Sequence, residues 1–356
     1  MSISSVIGLR IKNAIKGTTI GKKARDTWQR RNFNEDAAMS EIARFQKAGV
    51  GITVTDKLLK DMMHEAKDNS VGFDEYLMYH FADLPEYRRR EFVPTRERIT
   101  ICEKFNGTKN MYIYDDKAET YKRFKKYYHR DFLNCSGAYT KKDDFVTFTK
   151  KHTRFIVKPF AGANGIGIQI IDSTGKDTSD LFDELIRKYN KGFYAEELIK
   201  QSDEIGKFHP SSVNTLRVFT IRMNDRTVVL PAAWRIGQGG NIVDNGGSGG
   251  IFCVLDDNGV CYGTSDEFGR RFEKHPNTGL PLIGTQFPHY HEGIAFAEEL
   301  AEIIPENRYT GWDLALTDNG WIMQEANDRG GVVAIQLPME RGVRKELTEL
   351  LNELGL

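Results

Sequence analysis

The feature that most constrains this chain is a change of periodicity about a quarter of the way along it. Up to about Pro94, apolar residues recur at helical spacing and alternating strand patterns are scarce. Asn34 is placed to cap a helix running to Ala48, with Gly49 as its stop. Asp56 opens a second helix through Leu58, Leu59, Met62 and Met63, and Phe73 to Phe81 reads as a third. Pro94 then reads as the exit from this layer. Beyond it come short apolar runs of β type: Phe155–Val157, Ile166–Ile171, Phe193–Ala195, Leu216–Ile221, Val228–Trp234, Ile251–Leu255 and Trp321–Gln324. Helical stretches lie between them at Lys117–His129, Asp143–Lys151, Thr178–Tyr189 and His289–Ile304, and a last helix is expected from about Met339 to Leu354. Strands mixed with helices and joined by hairpin turns predict an α+β fold rather than a regular βαβ array.

One hairpin carries chemistry. Gly311 to Leu316 reads as a strand, Asp318-Asn319-Gly320 as a turn, and Trp321 to Asn327 as the returning strand. Glu325 and Asn327 are two residues apart, so both point to one face, and Asp313 can face them from the partner strand. Two carboxylates and an amide oxygen on one face form a hard-oxygen set of the kind Mg²⁺ prefers. The plainer alternative is an exposed polar hairpin face.

A basic counterpart lies upstream. Lys158 follows the strand Phe155–Val157 and precedes a small-residue loop running from Ala161 to Gly167. An ammonium beside bare backbone N–H groups suits phosphate, although glycine turns between strands are common without any ligand. The loop opens a strand, so it is not a Walker A sequence. The segment Phe193 to Ile199 is a short strand ending in Glu196 and Glu197; it reads either as an ordinary edge strand or as a rim for a flat heterocycle.

In order, the chain offers Asp116-Lys117 at a helix start, the lysine–glycine loop, the Glu-Glu-Leu-Ile segment, the arginines Arg217 and Arg235, and the Asp…Glu-x-Asn hairpin. This series resembles the ATP-grasp superfamily over roughly residues 100–340. The run from His209 to Thr220, with Arg235 and Asp244-Asn245-Gly246-Gly247, is similar to its sugar-transfer-associated family. The resemblance implies two α+β subdomains clamping ATP behind a helical N-terminal region, with boundaries expected at 1–98, 99–200 and 201–356. It implies that Lys117 and Lys158 contact the phosphates or the adenine edge, and that Gly165 and Gly167 lie in a lid loop. Glu196 would receive the adenine amino group, with the Glu197 and Ile199 backbones on the ring edge, and Asp203 or Glu204 would hold the ribose. Asp313, Glu325 and Asn327 would bind one or two Mg²⁺ ions. Arg217, Arg235 and Asn245 would face the transferring phosphoryl group or a substrate carboxylate. Where many ligases of the superfamily place small residues and Pro-Gly after the metal Asn, this chain has Asp328-Arg329-Gly330-Gly331, which directs Arg329 towards the acceptor.

The expected reaction is carboxylate activation by ATP and Mg²⁺ followed by coupling to an amine, in polysaccharide or sugar-precursor modification. The expected partners are a small-molecule acid and an amine, with an amino acid or sugar acid among them. Two alternatives stand beside it: a kinase on the same scaffold, and a non-catalytic nucleotide-binding module docked to a glycosyltransferase. Lys+Arg and Asp+Glu both total 50, so nothing global points to nucleic acid. Residues 1–31 hold eight basic side chains against the single acid Asp26, either a solvated helical face or a patch for an anionic membrane surface or an acidic partner. No run approaches a membrane span, and cytoplasm is the expected location, peripheral at the inner membrane face if that patch engages it. Cys253 and Cys261 flank the Asp257-Asn258-Gly259 turn and are expected to stay reduced, like Cys102 and Cys135.

Overall fold

The computed structural model describes residues 34–136, 140, 142–160, 167–190 and 192–356. The basic segment 1–31 and the loop glycine Gly165 lie outside the described residues. The helical front comprises α1 (Glu35–Lys47), α2 (Asp56–Asp68), α3 (Phe73–Met78), α4 (Glu86–Arg89) and α5 (Thr95–Asn106). The side chains of Asn34 and Thr55 accept the N–H groups of Ala37 and Leu58, which fixes where α1 and α2 begin. Two expectations change here. His80 adopts a left-handed φ of 53°, so the third helix stops at Met78 and Phe81–Asp83 forms a separate 3₁₀ turn. Pro94 does not lead out of the layer: its fixed φ of −64° leads into α5, which buries Ile101, Cys102 and Phe105 among the same residues as Ala38, Phe45 and Tyr76. Helix α5 runs unbroken through residue 98.

The chain continues through α6 (Met111–Asp115), α7 (Lys117–Tyr128), β1 (Phe132–Cys135), α8 (Lys142–Lys151), β2 (Arg154–Pro159), β3 (Gln169–Asp172), α9 (Thr178–Lys188) and β4 (Phe193–Glu197). Among the described residues these strands form an antiparallel sheet in the order β1-β4-β2-β3. Strand alternation sends Cys135, Phe155, Val157, Phe193 and Ala195 into a core with Phe145 and Phe148 of α8 and Leu181, Phe182 and Leu185 of α9. The same alternation turns Phe132, Asn134, Lys158, Tyr194 and Glu196 to the other face.

Then come α10 (Asp203–Gly206), β5 (Leu216–Arg222), β6 (Thr227–Val229), β7 (Ala233–Ile236), β8 (Ile251–Leu255), β9 (Cys261–Ser265), α11 (Tyr290–Ala301), β10 (Tyr309–Thr317), β11 (Gly320–Asn327), α12 (Val333–Met339) and α13 (Arg344–Glu353). The second antiparallel sheet has the order β11-β10-β5-β7-β8-β9, with β6 on β5. One face packs Leu216, Val218, Trp234, Trp312 and Leu314 against α7 and α11. The other face divides. Phe219, Ile221 and Tyr309 are covered by the helical front, whereas Arg217 and Asp313, paired in register further along β5 and β10, lie at the opposite end of that face. Helix α7 runs beside edge strand β11, with Phe124 edge-on to Trp312 at 5.6 Å.

The run Val228–Trp234 is two strands, because Pro231 offers no N–H to continue the ladder. The expected last helix begins only at Arg344; Glu340 has a left-handed φ of 54°, and a Cβ at Gly342 would fall 1.8 Å from the Glu91 carbonyl oxygen. The ladder shifts between Val254 and Leu255, so in register Cys253 pairs with Thr264 and Cys261 with Leu255, while the Cys253 and Cys261 thiols still meet across the hairpin. All four cysteines are free and buried. Strand β9 is the return arm of the hairpin at Asp257-Asn258-Gly259, whereas β1 has no counterpart in the sequence pattern. No helix among the described residues is long and apolar enough to cross a membrane.

Candidate active site

The β10–β11 hairpin forms as its Asn-Gly turn implies, with Asp313 opposite Glu325 and Gly311 opposite Asn327. Leu314 pairs with Met323, so Gln324 is an extra residue and the strand bulges immediately before Glu325. Asp313 is buried, and its carboxylate accepts from Arg217 Nε at 2.5 Å, Arg217 Nη2 at 2.8 Å and Arg235 Nη1 at 2.8 Å. Burial alone would raise the Asp313 carboxyl; the two guanidinium groups outweigh it and hold the pKa at about 2. Arg235 also donates to Asp244 at 2.8 Å, and Asp244 accepts the Thr215 N–H at 3.0 Å. Burial raises the Asp244 carboxyl against the pull of Arg235.

Opposite this group stands the open face of the smaller sheet. Lys158 donates to Glu196 at 2.9 Å, and Arg130 donates to the same carboxylate at 3.1 Å. Burial would raise the Glu196 carboxyl; Lys158 and Arg130 reverse this and bring it to about 2. Burial lowers the Lys158 ammonium despite Glu196, and nearby Lys117 and Arg130 push the same way. Lys117, on the first turn of α7, is ion-paired to Glu325. Burial would lower the Lys117 ammonium, but Glu325, with Glu196 and Asp313, raises it overall. Tyr194 donates to Asp116 at 3.0 Å and so ties the start of α7 to β4.

Lys117, Lys158, Glu196, Arg217, Arg235, Asp313 and Glu325 are thus brought together between the sheets. The other expected residues make contacts of their own. Glu197 has its own N–H bonded to the Asp131 carbonyl at 2.9 Å, and its carboxylate accepts the Asp131 N–H at 3.0 Å, so that backbone donor is already occupied. Ile199 lies in the half-buried stretch after β4. Asp203 opens α10, and Glu204 is exposed there, 3.9 Å from His289. Gly167 takes a left-handed φ of 80° and its carbonyl accepts from Tyr189 at 2.8 Å. Asn245 follows Asp244 and precedes a 3₁₀ turn. Asn327 reaches the Gly311 carbonyl at 3.5 Å. Arg329 is ion-paired to Asp328 at 3.1 Å and Asp115 at 2.6 Å, so both its ends are already held. Arg130, through Glu196, and Asp116, through Tyr194, complete the cluster, and no local sequence pattern assigns either of them a role there.

The donor set fits a hard divalent cation. Lys117 holds Glu325 through Oε1, and 41% of the Glu325 side chain is open to water. The Asn327 amide lies on the same face, and Asp313 keeps one lone pair, on Oδ2, beyond its three N–H donors.

Residues 96–352 match the family described as sugar-transfer associated ATP-grasp. The chain belongs to this family. The match leaves α1 to α4 of this ATP-grasp chain outside its span. No curated protein matches the sequence. Among solved structures, the ATP-grasp ligase PsnB complexed with minimal precursor, Mg and ADP is 12% identical, covering 71% of this chain and 62% of that one, with a TM-score of 0.42. D-alanyl-alanine synthetase A from Vibrio cholerae is 12% identical, covering 70% and 66%, with a TM-score of 0.44. The ADP complex of purK, N5-carboxyaminoimidazole ribonucleotide synthetase, is 12% identical, covering 68% and 52%, with a TM-score of 0.41. This ATP-grasp chain therefore spans about six tenths of the PsnB chain's length.

Proposed function

We propose that the chain is a Mg²⁺-dependent ATP-grasp ligase that activates a carboxylate and couples it to an amine. The observation that carries this reading is the pairing of an open carboxylate, Glu325, with cations from both sides of one cleft: Lys117 directly and Lys158 across it. ATP lies between the smaller sheet, within residues 99–200, and the larger one, within 201–356. Lys117 and Lys158 hold its phosphates, and Glu196 holds Lys158 in place for them. Asp313, Glu325 and Asn327 hold Mg²⁺, which supplies charge neutralisation to the phosphates when bound. Arg217 and Arg235, fixed by Asp313, present positive charge to the transferring group with little reorganisation.

A substrate carboxylate oxygen attacks the γ-phosphorus, the bond to the ADP oxygen breaks, and an acyl phosphate forms. The amine nitrogen then attacks the acyl carbon, phosphate leaves, and the amine loses a proton. Charge neutralisation and positioning are the protein's share of both steps. The acid and amine, with an amino acid or sugar acid among them, belong to cell-surface polysaccharide or sugar-precursor modification. The enzyme works in the cytoplasm, and its basic first 31 residues touch the inner membrane face or a glycosyltransferase.

The test is a coupled ADP-release screen of carboxylates crossed with amines, with hydroxylamine as trap. A hydroxamate from the acid substrate supports the ligase; ADP release with a hydroxyl acceptor and no hydroxamate means a kinase. Glu325→Ala should abolish Mg²⁺-dependent ADP release with folding retained, and full turnover in that variant removes the metal assignment.

A further inference from the structure

Arg130 lies between the two sheets and belongs to neither. It stands two residues before Phe132, the first residue of β1, and 2% of its side chain is exposed. Each of its three nitrogens donates to a partner. Nε donates to Glu196 Oε2 at 3.1 Å, and Nη2 lies 3.1 Å from the same oxygen as an ion pair. Nη1 donates to the Tyr128 carbonyl at 3.3 Å and the Met323 carbonyl at 2.7 Å, and Nη2 to the Gln324 carbonyl at 3.0 Å. The guanidinium also lies 4.3 Å from the Tyr128 ring centroid.

The carbonyl pair is the telling detail. Consecutive carbonyls of a regular strand point to opposite sides, so one planar group cannot collect both. The bulge at Gln324 breaks that alternation. Because β11 is an edge strand among the described residues, its outer carbonyls have no strand partner there. One side chain therefore grips the bulge just before Glu325 and, through Glu196, the side chain that holds Lys158.

We propose that Arg130 is a positioning residue that sets the separation between the Lys158–Glu196 pair on the smaller sheet and Glu325 on the larger one, and so couples metal binding to nucleotide binding. This rests on the nucleotide-site reading above. The two ligands need that coupling because the metal side and the phosphate side of the cleft lie on different sheets. Lysine cannot replace the fork: three donors on one nitrogen cannot reach Glu196 and two separate carbonyls in the same plane.

The experiment is isothermal titration calorimetry of ADP, with and without Mg²⁺, on the full chain, Arg130→Lys and Arg130→Met, alongside thermal unfolding. The readout is the factor by which Mg²⁺ tightens ADP. Couplings of this kind run from about 5- to 150-fold, so the factor should fall by roughly tenfold in Arg130→Met and partly in Arg130→Lys. A purely structural arginine would lower the melting temperature and weaken ADP equally in both conditions, leaving the factor unchanged. An unchanged factor in a folded variant overturns the proposal. Failure of the unaltered protein to bind ADP in either condition overturns the nucleotide site itself. Should Arg130→Met not fold, Arg130→Lys alone decides, because an undiminished factor there means the fork is not needed.

Discussion

Glu196 and Glu325 invite comparison. Each is a strand carboxylate, each is paired with a lysine, and each is held below the ordinary range against the effect of burial. Yet Glu196, on the smaller sheet, is only 3% exposed and is shared by two cations, whereas Glu325, on the hairpin, is 41% exposed and held by one. A lowered pKa therefore does not distinguish a sealed carboxylate from one that a cation can reach; access does. Removing a partner from the sealed group strands charge in a low-dielectric site, while the open group can exchange its lysine for another cation with water present throughout.

The comparison can be broken in order of expected effect. Asp313→Ala is the most severe, because Arg217 and Arg235 lose the anion that both require; about 3–5 kcal/mol should be lost in urea unfolding. A loss under 1 kcal/mol would show that the sealed groups are wetter than their geometry implies. Glu196→Gln should cost on the order of 3 kcal/mol at neutral pH, following its downward shift from 4.5 to about 2. The sign follows from the folded value lying below the unfolded one: the contribution is full above about pH 4.5 and disappears as pH falls to about 2. The unaltered protein should therefore lose stability across that window, and Glu196→Gln should flatten the slope of unfolding free energy against pH. Equal slopes would mean that the carboxylate is not held by Lys158 and Arg130. Glu325→Gln should be mildest, under about 1 kcal/mol, since its ion pair is solvated. If it destabilised as much as Asp313→Ala, the distinction between sealed and open carboxylates would fail.

The hairpin was legible because Asn319-Gly320 and the alternation around it are local signals, and Asp313, Glu325 and Asn327 follow from strand periodicity alone. The helical front was legible from Asn34, Gly49 and Asp56 for the same reason. What escaped notice depended on partners distant in sequence. Strand β1 has four residues, includes Asn134, and sits between two charged helices, so no apolar run announces it. With β1 unseen, Arg130 had no address. Once Phe132 is placed opposite Glu196, the period of two sets Arg130 on the same side as Phe132 and Asn134, towards that carboxylate. Its other partners are carbonyls at a bulge, which no side-chain pattern encodes. Pro94 begins α5 rather than ending the helical layer because proline both ends and begins helices, and only packing decides which.

The grip on β11 also bears on solubility. A border strand with free carbonyls is a template for a second chain to dock in β fashion, and proteins avoid such association by covering or charging the border. Here the guanidinium covers Met323 and Gln324. A second chain seeking those two carbonyls would have to displace the side chain that joins the two sheets.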